Sequence, residues 1–338
     1  MSRPLIALSM GDPAGIGPEV LLKAATVVDT WRDARMAVFG DVGVLRQAAT
    51  ELGIRAVPTP VEDLVEARTI GEPGVLPVVA VSDIGEVRWG EPSPASDGAQ
   101  LRYIERAVEA VRAEKAEAFC TAPISKLAIH RAGSRYSGHT DMLGDHFGVK
   151  QPVMMLAGPS LKVIPLTVHV PLSRVPELMT RERVETAVEV ANETFRRYFA
   201  LPRPRIAVAG LNPHAGENGM FGREEEATII PAVAACAERG IDVRGPFAAD
   251  SVFHRALTGE FDVVIGMYHD QALIPLKLID FDHAVNVTLG LPIVRTSVDH
   301  GTAYDIAGQG VASASSMMEA IRLAARMART SAETGDLS

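Results

Sequence analysis

Short apolar runs that alternate with helix-period stretches constrain this chain more than any other feature. Leu5 to Met10, Ala34 to Phe39, Val75 to Val81, Ala118 to Thr121, Leu161 to Val168, Ile206 to Leu211 and Phe261 to Met267 are each closed off by Gly, Pro or polar turns. Such runs predict buried strands. Between several of them, Asp97 to Glu114, Arg181 to Tyr198 and Glu224 to Glu238 carry apolar residues three and four apart, which predicts amphipathic helices. Alternating strands and helices imply parallel strands joined by right-handed crossovers, hence an α/β class with a mainly parallel sheet covered on both faces. The 338 residues suffice for two such sheets. Residues 51 to 96 are rich in Pro and Gly, and Trp89 to Asp97 reads as a surface connection before a capped helix.

Charge narrows the partners. Lys and Arg number 33 against 42 Asp and Glu, a net of -9, which argues against a broad grip on nucleic acid or anionic lipid. Any anionic ligand must be held locally. No stretch approaches the roughly 20 apolar residues that cross a bilayer, and the first apolar run breaks at Gly11-Asp12-Pro13 too early for a signal peptide. Cys120 and Cys236 stand far apart with no second Cys near either. They read as core thiols, and a reducing cytoplasm is the expected location. The polar tail Thr330 to Ser338 is expected to fray.

Three segments place a His at or just past a strand end: His169 in VIPLTVH, His214 in IAVAGLNPH and His269 in VVIGMYHD. Ligands of open α/β sheets bind at the carboxyl edge of the strands, and three neutral imidazoles suit a divalent transition metal with positions left open. Any one of them alone also reads as a satisfied polar residue, and spacing does not show that the strand ends meet. Asp270 and Asp250 are candidates to orient a ligand or join the shell.

Other segments offer anion sites. Gly11 to Glu19 (GDPAGIGPE) opens a helix, as phosphate-binding loops do. It meets neither the dinucleotide fingerprint nor the P-loop, and a structural turn with Pro18 at the first helical position explains it equally well. Ser137-Gly138-His139-Thr140-Asp141 reads either as a helix cap at Thr140 or as a phosphate cradle of His139, Thr140 and backbone donors. Lys277 and Arg295 lie in apolar sequence, where a cation must be paired by an acid or by a ligand anion. Lys126 follows Ser125 at another strand end, but no G-x-S-x-G elbow occurs, which excludes a serine hydrolase of that type.

Taken together, GDPAGIGPE (11 to 19), Gly138-His139-Thr140, LNPHAGE (211 to 217), MYHDQ (267 to 271), VNVTLGLPIVR (285 to 295) and DHGTA (299 to 303) resemble the 4-hydroxythreonine-4-phosphate dehydrogenase family of pyridoxal 5'-phosphate biosynthesis. One departure is Asp141, where many members of the family carry Glu. The resemblance implies two α/β/α subdomains with mainly parallel sheets and an interdomain cleft, like isopropylmalate and isocitrate dehydrogenases. Their approximate extents would be 1–130 plus 296–338, and 131–295. It also implies a homodimer whose active site draws on both subunits. A divalent metal (Zn, alternatively Mg, Co or Mn) would sit on His169, His214 and His269. Substrate would meet His139, Thr140, Lys277, Asn286 and Arg295. NAD would lie along His300, Gly301, Thr302 and Ala303, and Asp270 or Lys277 would move protons.

The implied reaction oxidises 4-phosphooxy-L-threonine to 2-amino-3-oxo-4-phosphooxybutanoate, which decarboxylates to 3-amino-2-oxopropyl phosphate. A metal eases loss of the alcohol proton and steadies the enolate left by decarboxylation. Alternatives within the family are other four-carbon hydroxyacid phosphates or a terephthalate-derived dihydrodiol dicarboxylate. Outside it, a phosphate acyltransferase would bind coenzyme A without a metal, and a non-catalytic sensor would bind NAD alone.

Overall fold

A computed structural model describes residues 3–136 and 138–335. Ser137 and the last three residues of the expected tail lie outside the described residues. The stretch from Thr330, expected to fray, continues the helix Ser315–Gly335. The strands, in chain order, are β1 (Leu5–Ser9), β2 (Arg35–Gly40), β3 (Val57–Val61), β4 (Val75–Ala80), β5 (Ala118–Thr121), β6 (Val153–Ala157), β7 (Lys162–Pro165), β8 (Ile206–Ala209), β9 (Val243–Phe247), β10 (Val263–Gly266), β11 (Val285–Leu289) and β12 (Val294–Val298).

The chain divides into two compact units. One takes the chain up to Gly148 together with Leu291–Arg329, and the other takes Val149–Gly290 together with the stretch from Thr330. The sequence expectation put the divisions near 130 and 295. With the division at Gly148 and Leu291, His139, Thr140 and Arg295 belong to the first unit.

In the first unit the strands lie in the order β3-β4-β2-β1-β5-β12, all parallel. Leu5, Ile6, Leu8, Trp31, Tyr103 and Phe119 are buried in it. β3 reads VPTPV and falls inside the Pro-rich stretch expected to be a connection. It is an edge strand paired only with β4, the one place in a sheet where prolines cost no ladder bond. The helix Pro94–Arg112 begins three residues before the expected Asp97, within the stretch read as a connection, and is capped there: the Ser93 side chain accepts from Ser96 N, and Ser96 returns the bond in a capping box.

In the second unit the order is β11-β6-β7-β10-β8-β9. β6 runs antiparallel to both neighbours, and the other pairings are parallel. Its core joins Val163, Ala207, Val264, Phe253 and Phe261 to Ala272, Leu273 and Leu276, the inner face of the helix His269–Asp280. Both units therefore have the α/β architecture expected from the alternation. Among the described residues, no helix is long and apolar enough to cross a membrane.

Candidate active site

The second unit delivers the histidines. β7, β10 and β8 are consecutive parallel neighbours, so their carboxyl ends lie on one edge of the sheet, and His169, His269 and His214 follow those ends in turn. His169 and His214 take left-handed backbone, at φ 49° and 52°. That is uncommon for a residue with a side chain and typically signals a functional constraint. The rings of His169 and His269 lie with centroids 5.9 Å apart. Imidazoles sharing one metal through nitrogens at about 2.0–2.1 Å have centres roughly 5–6 Å apart, so this pair fits. The His214 ring packs instead against Phe221, with centroids 6.1 Å apart. Among the described residues, no three His, Cys, Asp or Glu side chains gather closely enough to hold a metal ion. The donors suit a divalent metal in residue type, but only the His169–His269 pair stands at a spacing one cation could bridge, and the His214 ring is turned aside.

Asp270 opens the helix beside His269, and its Oδ1 lies 2.7 Å from His269 Nδ1. A proton held on Nδ1 by that carboxylate leaves the Nε2 lone pair free for a cation. Asp250 is exposed in the first turn of the helix Ala249–Leu257. That helix packs on the turn Pro213–Gly216, which carries His214.

Two expected substrate contacts of the same unit are not brought to this edge. Lys277 lies eight residues along its helix from His269, about 12 Å along the axis, with its ammonium 5.7 Å from the Phe281 ring centroid. Asn286 pairs with Leu156, which pairs with Val163, so it sits back from the end of β7. Its Oδ1 is buried with no hydrogen-bond partner among the described residues.

The first unit builds a cationic cluster. Arg295, on β12, is 2% exposed and donates from Nη2 to Thr121 Oγ1, at the end of β5, at 2.6 Å. Burial pushes its guanidinium down to about 10. His139 opens the helix His139–Phe147, and Gly138 holds the cap position without a side-chain hydrogen bond. Thr140 lies inside the first turn, which corrects its reading as the cap. The Lys126 stem runs alongside, with Cε 3.6 Å from where a Gly138 Cβ would stand. Burial, then the charges of Arg295 and Lys126, hold His139 well below its ordinary 6.5, and its enclosed Nε2 has no partner among the described residues. A neutral imidazole, a helix start and two cations are groups of the kind that hold an anion.

The loop after β12 carries His300, Gly301, Thr302 and Ala303. Among the described residues, His300 Nε2 is enclosed without a partner and nothing lies within 4 Å of where a Gly301 Cβ would stand. This loop rests on the Gly11–Gly17 turn, where Ile16 N donates to Thr302 O at 3.0 Å. The glycines of that turn answer to crowding: a Cβ on Gly11 would stand 2.3 Å from Pro123 O, and one on Gly17 2.4 Å from Met10 O. Its N–H groups at Asp12, Ala14, Gly15 and Ile16 are all bonded within the protein, so these four are spent on structure and the turn supports the 300–303 loop. Sequence reasoning missed the partners that hold these groups, Thr121 beside Arg295 and the Asp12 carboxylate that accepts from Tyr304 Oη. Neither pairing has a spacing that marks it, since each joins residues far apart in the chain.

Comparisons with known proteins place the whole chain beside one family. The family model of the pyridoxal phosphate biosynthetic protein PdxA matches residues 32–324. A 4-hydroxythreonine-4-phosphate dehydrogenase of Geobacter metallireducens is 47% identical over 99% of this chain and 98% of its own. A D-threonate 4-phosphate dehydrogenase of Cupriavidus necator is 43% identical over 96% of this chain and 97% of its own. Among solved structures, a 4-hydroxythreonine-4-phosphate dehydrogenase from Klebsiella pneumoniae matches with TM-score 0.90 and 41% identity, covering 96% of this chain and 98% of that one.

Proposed function

The chain belongs to the pyridoxal phosphate biosynthetic protein PdxA family and is a dehydrogenase, and from that premise we propose that it oxidises 4-phosphooxy-L-threonine with NAD and a divalent metal. The product, 2-amino-3-oxo-4-phosphooxybutanoate, is a β-keto acid and loses carbon dioxide to give 3-amino-2-oxopropyl phosphate. The observation that carries this reading is the placement of His169, His269 and His214 after three adjacent parallel strands. A divalent cation held there, zinc being the first candidate, supplies the electrostatic help that an alcohol needs to lose its proton near neutral pH and that an enolate needs after decarboxylation.

The remaining work falls to the protein's own groups. Asp270 holds the proton on His269 Nδ1 and fixes the ring. His139, kept neutral, binds the substrate phosphate by hydrogen bond together with Thr140 and the first-turn N–H groups, while Arg295, with Lys277 of a second chain, balances negative charge on the substrate. The loop His300 to Ala303 holds the nicotinamide cofactor. Of the two candidates for moving the alcohol proton, Asp270 stands beside His269 in the same chain. Lys277 would come from a second chain.

A homodimer with shared active sites follows from that last point. Ile274, Leu278 and Phe281 are 57%, 82% and 70% exposed, and their spacing puts them on one helical face with Lys277. Such an apolar face needs cover, and a second copy bringing Lys277 would provide it. Both cysteines are free and buried, in keeping with a reducing cytoplasm.

The second reading, favoured by the 43% identical relative, is D-threonate 4-phosphate as substrate, with a hydroxyl in place of the amino group. NADH formation from each phosphate ester, with and without a chelator, decides between them. Turnover of the amino substrate that stops on chelation and returns with added metal is the expected result. Turnover insensitive to metal removal overturns the metal reading.

A further inference from the structure

Lys126 is a cation that the fold places beside a buried imidazole and leaves without an acid. It follows the end of β5 and opens the helix Lys126–Arg131, exposed but anchored from behind: the cap residue Ser125 donates its backbone N–H to Oε1 of the buried Gln100 at 2.9 Å. Arg131, at the other end of that helix, is bound by Asp97 at 2.9 Å. The Lys126 ammonium, in contrast, has no hydrogen bond or ion pair among the described residues. Its Cε lies 3.6 Å from where a Gly138 Cβ would stand, so the ammonium, one bond further on, ends near the start of the helix His139–Phe147. The charges that act on His139 are those of Arg295 and Lys126, with no carboxylate among them. β5 links the two cations: its last residue, Thr121, holds Arg295, and the chain that leaves it delivers Lys126.

Two positive charges thus act on a ring whose Nε2 is enclosed without a partner among the described residues. A carboxylate brings one negative charge, whereas a phosphate monoester brings about 1.5 to 2 at neutral pH. Arg295 alone matches the first, and Arg295 with Lys126 matches the second. We propose that Lys126 binds the substrate's phosphate beside His139 and sets the selectivity of this site for a phosphate over a carboxylate end group, an inference that rests on the phosphate reading of His139 and Thr140 above. A lysine suits that place, since its ammonium is a compact charge on a flexible stem that closes on the phosphate as it arrives. Ser125 also meets the Tyr304 hydroxyl, next to the loop read as holding the cofactor. The cofactor's pyrophosphate is therefore a second source of the same chemistry, and the test separates the two.

The test compares Lys126→Gln and Lys126→Arg in the full-length protein, with Lys115→Gln, an exposed lysine elsewhere in the same unit, as control for a general loss of charge. Two readouts are taken: affinity for inorganic phosphate and for acetate, from protection against thermal unfolding without turnover, and KM for 4-phosphooxy-L-threonine and for NAD. Lys126→Gln should weaken phosphate binding and raise KM for the phosphate ester by roughly tenfold or more, with acetate binding and KM for NAD within about twofold of wild type. Lys126→Arg should restore most of the loss, and Lys115→Gln should behave as wild type. Unchanged phosphate affinity in Lys126→Gln, with affinity lost in His139→Asn, overturns the role of Lys126 and leaves the phosphate site standing. Unchanged affinity in both variants removes the phosphate site itself, and the role of Lys126 with it. A rise in KM for NAD instead of the phosphate ester assigns Lys126 to the cofactor's pyrophosphate and overturns the proposal. Equal losses for phosphate and acetate, or an equal loss in Lys115→Gln, mark a general effect of charge and overturn it as well.

Discussion

Arg295 Nη2 donates to Thr121 Oγ1 at 2.6 Å across the parallel pair β12 and β5, so a guanidinium is held inside a sheet rather than at its rim. Burial lowers its pKa from the ordinary arginine value to about 10. At neutral pH the charge persists, and the folded state carries the cost of desolvating it. Arg295→Met, close in volume and uncharged, should therefore raise the melting temperature of the ligand-free protein, by about 2–4 °C per kcal/mol recovered. It should also lose substrate binding, at about 1.5–3 kcal/mol for each charged hydrogen bond removed, or roughly 10- to 150-fold in KM. Thermal scans and steady-state kinetics on the one variant check both. A less stable protein with normal KM would make Arg295 a structural ion.

His139 gives the pH dependence. Burial, then Arg295 and Lys126, hold its folded pKa well below 6.5, so between that value and 6.5 the unfolded chain binds a proton that the folded chain refuses. Stability there rises with pH. The contribution is complete above about 6.5 and is lost as pH falls toward the folded value. Denaturation midpoints of wild type and His139→Asn should run parallel above pH 6.5 and converge below it, the wild type losing more. Curves that stay parallel through acid would place His139 in an ordinary solvated setting.

What could be read from the sequence, and what could not, follows from the range of each interaction. β5 has its expected bounds, Ala118 to Thr121, and the helix Arg181–Tyr198 also begins and ends where its periodicity predicts, because both signals are local. β3, β6, β9, β11 and β12 lie outside the expected strands. β9 contains Gly245 and Pro246, and β12 carries Arg295 and two hydroxyl residues, polar content that only the tertiary setting accommodates. The expected helix Glu224–Glu238 opens with a π turn, Glu225–Ile229, where Glu225 is drawn in to hold Asn212. Each histidine could be picked out by its strand end, yet the adjacency of β7, β10 and β8 is a fact of strand order that no spacing records.

Tyr304 donates to Asp12 Oδ2 and so ties the loop His300 to Ala303 to the Gly11–Gly17 turn. Burial, then the bond to Asp12, raises the phenol to about 12, which keeps it a donor at any working pH. Tyr304→Phe removes one neutral-to-charged hydrogen bond outside the expected metal site. The Michaelis constant for the nicotinamide cofactor should rise by up to roughly 10- to 150-fold, the span of about 1.5–3 kcal/mol, with kcat little changed. A fall in kcat at constant KM for cofactor would argue that this loop serves the chemistry instead.

Lys277 and His214 test whether the site is built from two chains. Lys277 lies well along its helix from His269, on the face exposed at Leu278 and Phe281. If Lys277 acts across a twofold interface, His214→Ala and Lys277→Ala should each be inactive as pure proteins. Mixing and re-equilibrating them forms hybrids in which one of the two sites takes His214 from one chain and Lys277 from the other, both intact. With random assortment half the dimers are hybrids, so activity should recover to roughly a quarter of wild type. A site confined to one chain recovers nothing, because every chain in the mixture lacks one of the two residues. Leu278→Asp, an exposed position that should leave the fold within about 0.5 kcal/mol, should abolish the recovery by separating the chains, which size-exclusion chromatography with light scattering would register as a halved mass.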